Sequence, residues 1–67
     1  MDQNEYITIL RQNHDKMLLS KKTTAHELSI SEATLDRLRQ NGKITSKKVL
    51  GQIMFSIDEI GRFLADA

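Results

Sequence analysis

Between Arg37 and Ile57 the chain carries Arg37, Arg39, Lys43, Lys47 and Lys48 and not one acidic side chain. Cations at this density, without neutralising neighbours, are suited to holding the phosphate oxygens of a polyanion. The rest of the chain is weakly acidic: residues 1–20 and 21–36 each sum to −1 and residues 58–67 to −2, so a formal net charge of +1 hides a local excess. The competing reading is a solvated basic face that serves only solubility. Other chemistries lack their residues. There is no cysteine, which removes disulfides and thiolate metal sites. His14 and His26 lie twelve positions apart, not the four that would bring them together on a helix, and read as two surface histidines rather than a metal pair. No glycine-rich phosphate loop, nucleophile–histidine pairing or metal-ligand spacing is present, so neither an enzyme nor a cofactor or metal is expected.

Holding such cations against a ligand requires helices, and the segment Lys21–Leu38 is patterned for two short ones meeting at a tight turn. Ala25 lets the second helix approach the first, while Leu28, Ile30, Leu35 and Leu38 are spaced to fill the core between them. The turn lies between Leu28 and Ser31. The Ser31 hydroxyl can accept from backbone N–H groups further along, and Glu32 places negative charge where the helix dipole favours it. The second helix is therefore expected over Glu32–Gln40, stopped by Asn41-Gly42. Its candidate DNA-reading residues are Ser31, Glu32, Ala33, Thr34, Asp36, Arg37 and Gln40. Arg37 lies opposite Leu35 and Leu38 and is the strongest positive group on the reading face. Glu32 either accepts from a cytosine amino group or only offsets the helix dipole. Thr34 either faces the groove or is bonded within the turn.

After Gly42 the pattern alternates. Val49, Gly51, Ile53, Phe55 and Ile57 share one parity, which predicts a β-hairpin over Lys47–Ile57 with that face packed on the helices. Leu50 before Gly51 suits a two-residue turn poorly, so a longer or bulged loop is expected. Lys47, Lys48 and Gln52 would ride near the tip of a ribbon narrow enough to follow a DNA backbone or enter a minor groove. With Lys21, Lys22 and Lys43 they form the candidate phosphate-contacting set. Ser56-Ile57-Asp58-Glu59 has capping-box spacing and opens a last helix whose Ile60, Phe63 and Leu64 make an apolar stripe. Gly61 weakens that helix unless a close contact needs the missing side chain. Phe55 and Phe63 read as core rather than as base-stacking residues.

The order helix, turn, helix, two-stranded wing, helix from Leu19 to Ala65 resembles the winged-helix proteins related to the MerR DNA-binding head, and in particular the excisionases of phages and integrative elements. The residues that carry the resemblance are the Leu-Ser-x-Lys opening, Ile30-Ser31-x-x-Thr34-Leu35, Gly42-Lys43-Ile44, Lys48-Val49, Gly51 and Phe55-Ser56. It implies double-stranded DNA binding with the second helix in a major groove and the wing in the adjacent minor groove, commonly as several copies side by side. Against the family's pattern, Ser29 stands where glycine is usual, Thr45 where proline is usual and Leu50 where glycine is usual. Gln52 and Met54 occupy wing positions that are often arginine, and Asp36 a helix position that is often aromatic or basic, which predicts weak binding by a single copy.

The expected architecture is thus mainly α with a small β-hairpin: a winged helix-turn-helix over residues 19–67, preceded by a helical extension over residues 1–18. In that extension Gln3, Tyr6, Leu10, Asn13 and Met17 line one helix edge, either for folding onto the same domain or for self-association. The expected function is sequence-specific DNA binding, as a recombination directionality factor or a small transcriptional regulator. The second reading is a protein-interaction module that docks an integrase or a transcription partner. No apolar run approaches the ~20 residues a membrane span needs, and the polar start Met1-Asp2-Gln3-Asn4-Glu5 is unlike a signal peptide. A cytoplasmic, nucleoid-associated location is expected.

Overall fold

In the computed structural model, which describes residues 1–67, four helices surround a three-stranded antiparallel sheet: α1 (Gln3–His14), β1 (Leu18–Ser20), α2 (Lys21–Leu28), α3 (Glu32–Gln40), β2 (Lys47–Val49), β3 (Gln52–Ser56) and α4 (Ile57–Asp66). Every helix opens on a side chain that accepts from the backbone three residues along. Ser20 accepts from Thr23, Ser31 from Thr34 and Ser56 from Glu59, at 3.2, 3.1 and 3.0 Å. Asp2 and Glu5 make a complete capping box on α1. The Ser56 box is only half formed, because the Glu59 carboxylate turns away from the Ser56 N–H to other partners. As expected, α3 runs over Glu32–Gln40, capped by Ser31 and ended at Asn41 and Gly42, the latter at φ +73°.

The sheet is larger than the hairpin expected from the sequence. β1 joins it, in the order β1-β3-β2, with Leu19 opposite Phe55. Leu18–Ser20 is too short for periodicity to reveal, and a division of the chain at residue 18 would cut this strand. The hairpin register also reverses the face assigned to Val49. Val49 pairs with Gln52, Lys48 with Ile53 and Lys47 with Met54. Because cross-strand partners share a face, Val49 lies with Gln52 and Met54, opposite Ile53 and Phe55. The connection is two residues rather than a longer or bulged loop, with Leu50 at φ +51° and Gly51 at φ +83°, the signs of a type I′ turn. Two loop residues shift the parity between strands, so one run of odd numbers cannot describe both.

Leu19, Phe55 and Ile57 meet Leu10, Ala25, Leu35, Ile44 and Ile60 in one buried cluster, edged by Ile7, Leu28, Ile30, Leu38, Ile53, Phe63 and Leu64. α1 is thus folded onto its own domain through Ile7 and Leu10, and its one large apolar side chain left exposed is Ile9. Gly61 explains how closely α1 and α4 approach. A Cβ there would stand 2.7 Å from Ile7 Cγ1 and 3.2 Å from the Gln3 carbonyl oxygen, so the close contact that would justify a glycine is present. His14 is not a surface histidine: its Nε2 lies 2.8 Å from Glu27 Oε1, half-buried, tying the end of α1 to α2.

Candidate nucleic-acid interface

The α3 residues divide cleanly by exposure. Leu35 is fully buried and Leu38 partly so, which turns Ala33, Arg37 and Gln40 outward along one face, with Ser31 and Glu32 exposed at the start of the helix. Three of the residues expected to read DNA, Ser31, Thr34 and Asp36, are engaged in structure. Thr34 Oγ1 lies 2.9 Å from the Ser31 hydroxyl at the cap. Asp36 is held by Lys21 Nζ at 3.1 Å and Arg39 Nη2 at 3.3 Å. Those bonds, Lys21 first, outweigh partial desolvation and hold the Asp36 carboxyl below the ordinary carboxylate range. Asp36 therefore does not present a bare negative charge on α3, and Lys21 is spent on it.

Removing the paired cations leaves a short set. Lys16, Lys22, Arg37, Lys43, Lys47 and Lys48 are in no ion pair and are all exposed. Lys22 borders a shallow recess with Ser31 and Glu32 at the start of α3. Arg37 is the one cation on the outward face of α3, Lys43 follows the helix, and Lys47 and Lys48 sit on β2. Their pairing with Met54 and Ile53 sets these two lysines on opposite faces of the ribbon. Gln52 is exposed in the last pair before the turn.

What joins α3 to the hairpin is a cluster on α4 that sequence spacing signalled only as a cap. Glu59 Oε2 accepts from the Thr45 N–H at 2.8 Å and from Arg62 Nη2 at 2.7 Å, and Oε1 accepts from Arg62 Nε at 2.8 Å. Arg62 also donates to the Lys43 carbonyl at 3.0 Å and to Asp66 at 2.8 Å. The connection Lys43–Thr45 is thereby bonded at both ends to one helix. The Arg62 guanidinium, and secondly the Thr45 N–H, hold the Glu59 carboxyl below its usual range against the opposing effect of burial. Glu59 and Asp66 in turn fix Arg62 in its cationic form. A proline at position 45 would have no N–H to give Glu59, so the threonine there is matched to this carboxylate.

No group of three or more His, Cys, Asp or Glu side chains stands close enough to hold a metal ion, and no helix is long and apolar enough to cross a membrane. No family model matches the chain, and neither do any curated protein or solved structure.

Proposed function

We propose that this chain is a winged helix-turn-helix protein that binds double-stranded DNA, with α2 and α3 as the helix-turn-helix, α3 in a major groove and the β2–β3 hairpin as the wing along the backbone and minor groove. The observation that carries this is the distribution of unpaired cations. Arg37, Lys43, Lys47 and Lys48 follow one another along the outward face of α3, its trailing connection and the hairpin; Asp36, the acid adjoining Arg37 in sequence, is neutralised internally, and Glu32 stands unpaired at the start of α3. Arg37 is the base-reading candidate, since arginine matches the two acceptors of a guanine edge. Ala33 and Gln40 share its face, and Ser31 and Glu32 are exposed where the helix begins. Lys22, Lys43, Lys47, Lys48 and Gln52 supply backbone contacts, each lysine contact adding about 0.9 to the salt slope.

The longest dimension of the domain is 27 Å. That is less than one turn of B-DNA, roughly 34 Å, so one copy covers a short site, and several copies side by side would gain affinity by linkage. Within this reading the chain serves as an excisionase or a small transcriptional regulator. A footprint on DNA flanking its own gene separates the two: repeats protected beside an attachment site indicate excision, and protection over a promoter indicates regulation. Absence of any salt-dependent binding to duplex DNA would refute both.

One observation favours the second reading, a module that docks an integrase or transcription partner. Met17, Val49 and Leu50 are exposed large apolar side chains near or on the sheet. The two readings part on whether a duplex alone is bound.

A further inference from the structure

The hairpin tip is built from a residue that the turn does not favour. Leu50 occupies the first loop position at φ +51°, a left-handed conformation that asparagine and glycine adopt readily and that leucine adopts only at a conformational cost. Leu50 makes no packing contact that would repay this, because it is 99% exposed, the most exposed large apolar side chain in the chain. A strained backbone carrying an apolar side chain into solvent is a feature to be explained by what that side chain meets.

Its surroundings indicate the partner. Lys47 and Lys48, both unpaired, stand on opposite faces of the same ribbon just behind the tip, and no acid lies between Arg37 and Ile57. A narrow ribbon with an apolar point and a cation on each side is complementary to a groove with an anionic wall on each side and, between the base pairs at its floor, an apolar step that can be parted. That describes the minor groove of a duplex. An anionic lipid surface entered tip-first would meet both lysines as well; the duplex is favoured because the exposed, unpaired cations continue away from the tip to Lys43 and Arg37 on α3.

We propose that Leu50 is a wedge that enters the minor groove and partly unstacks one base step, so that the protein bends the duplex it binds while Lys47 and Lys48 hold the phosphates on either side. This rests on the DNA-binding reading above and adds to it a mode of action. Apolar side chains inserted from the minor groove kink DNA toward the major groove, and pyrimidine–purine steps yield most easily.

The test uses the full chain and duplexes carrying 2-aminopurine beside TA and CA/TG steps, at low salt, with the end-to-end distance read by energy transfer. The parent protein should raise 2-aminopurine fluorescence and shorten the end-to-end distance on saturation. Leu50→Asn creates an Asn-Gly turn, so it should melt at a higher temperature than the parent, still bind duplex, and lose both signals. Leu50→Met should keep them. Lys47→Ala with Lys48→Ala should weaken binding yet still give the fluorescence rise at saturation. If the parent binds duplex with no rise, or Leu50→Asn bends DNA as well as the parent, the wedge is refuted and the DNA-binding reading stands. If no duplex is bound at all, both fall. Leu50-dependent binding to phosphatidylserine vesicles, with no unstacking of DNA, would reassign the tip to a membrane and overturn the proposal.

Discussion

Glu59→Gln tests whether α4 fixes the connection between α3 and the hairpin. The native carboxylate accepts three bonds, from the Thr45 N–H, Arg62 Nε and Arg62 Nη2. A glutamine has one acceptor oxygen. With that oxygen in the place of Oε2, the amide still takes the bonds from Thr45 and Nη2, but it sets an NH2 group against the Nε–H and removes the negative charge. Losing one charge-assisted bond costs roughly 1.5–3 kcal/mol, and the lower part of that range applies because the Arg62 side chain is 38% exposed. A loss of about 2 kcal/mol in a domain of this size lowers the melting temperature by about 8–15 °C.

The pH dependence gives the sharper test. Because the folded carboxyl titrates below its ordinary value, its contribution is present above about pH 4.5 and disappears as the pH falls through the lower, folded value. The gap between parent and Glu59→Gln in urea unfolding should therefore be full at pH 7 and close progressively below pH ~4. The parent remains acid-sensitive through Asp36, also depressed, so the comparison is between the two proteins at each pH. Hydrogen exchange at the Thr45 amide should quicken in the variant. An equal gap at pH 7 and at acid pH, with unchanged exchange at Thr45, would refute the reasoning.

Arg37→Ala should leave the melting temperature unchanged, since the side chain is exposed and unpaired, and should weaken DNA binding by about 1–3 kcal/mol with relaxed preference at one base pair if it reads guanine; a competition assay with unchanged affinity would remove it from the interface. Lys47→Ala with Lys48→Ala should weaken binding to specific and random duplexes alike and flatten the salt slope by about 1.8, measured by titration at several salt concentrations. Gly61→Ala should destabilise by about 1–3 kcal/mol in spite of alanine's better helix propensity, because the new methyl meets the stem of Ile7 and the Gln3 carbonyl. Thr24→Val should stabilise by about 1 kcal/mol, since the Thr24 hydroxyl is fully buried and has no hydrogen-bond partner; denaturant midpoints check both.

What the sequence determined by itself was what depends on near neighbours in the chain. Ser31 as a cap, α3 over Glu32–Gln40 and its stop at Asn41-Gly42 follow from backbone N–H groups that must be satisfied within one turn and from a left-handed residue that only a few side chains tolerate. The exposure of Arg37 opposite Leu35 follows from helical period alone. The basic run Arg37–Lys48 was equally legible, because it is a count.

Tertiary structure decided which of those charges remain available and which faces are buried. Asp36 finds Lys21 from another helix, fifteen residues back, and Glu59 finds the Thr45 N–H fourteen residues back, and neither partner is implied by local spacing. Val49 changes face because two loop residues set the register. β1 exists only because β3 offers it an edge, and α1 belongs to the core because Gly61 lets it approach α4. A chain's local pattern limits which side chains can face outward together, but long-range packing selects which of them keep a free charge, since a cation and a carboxylate distant in sequence neutralise each other only once the fold has brought them within a few ångströms.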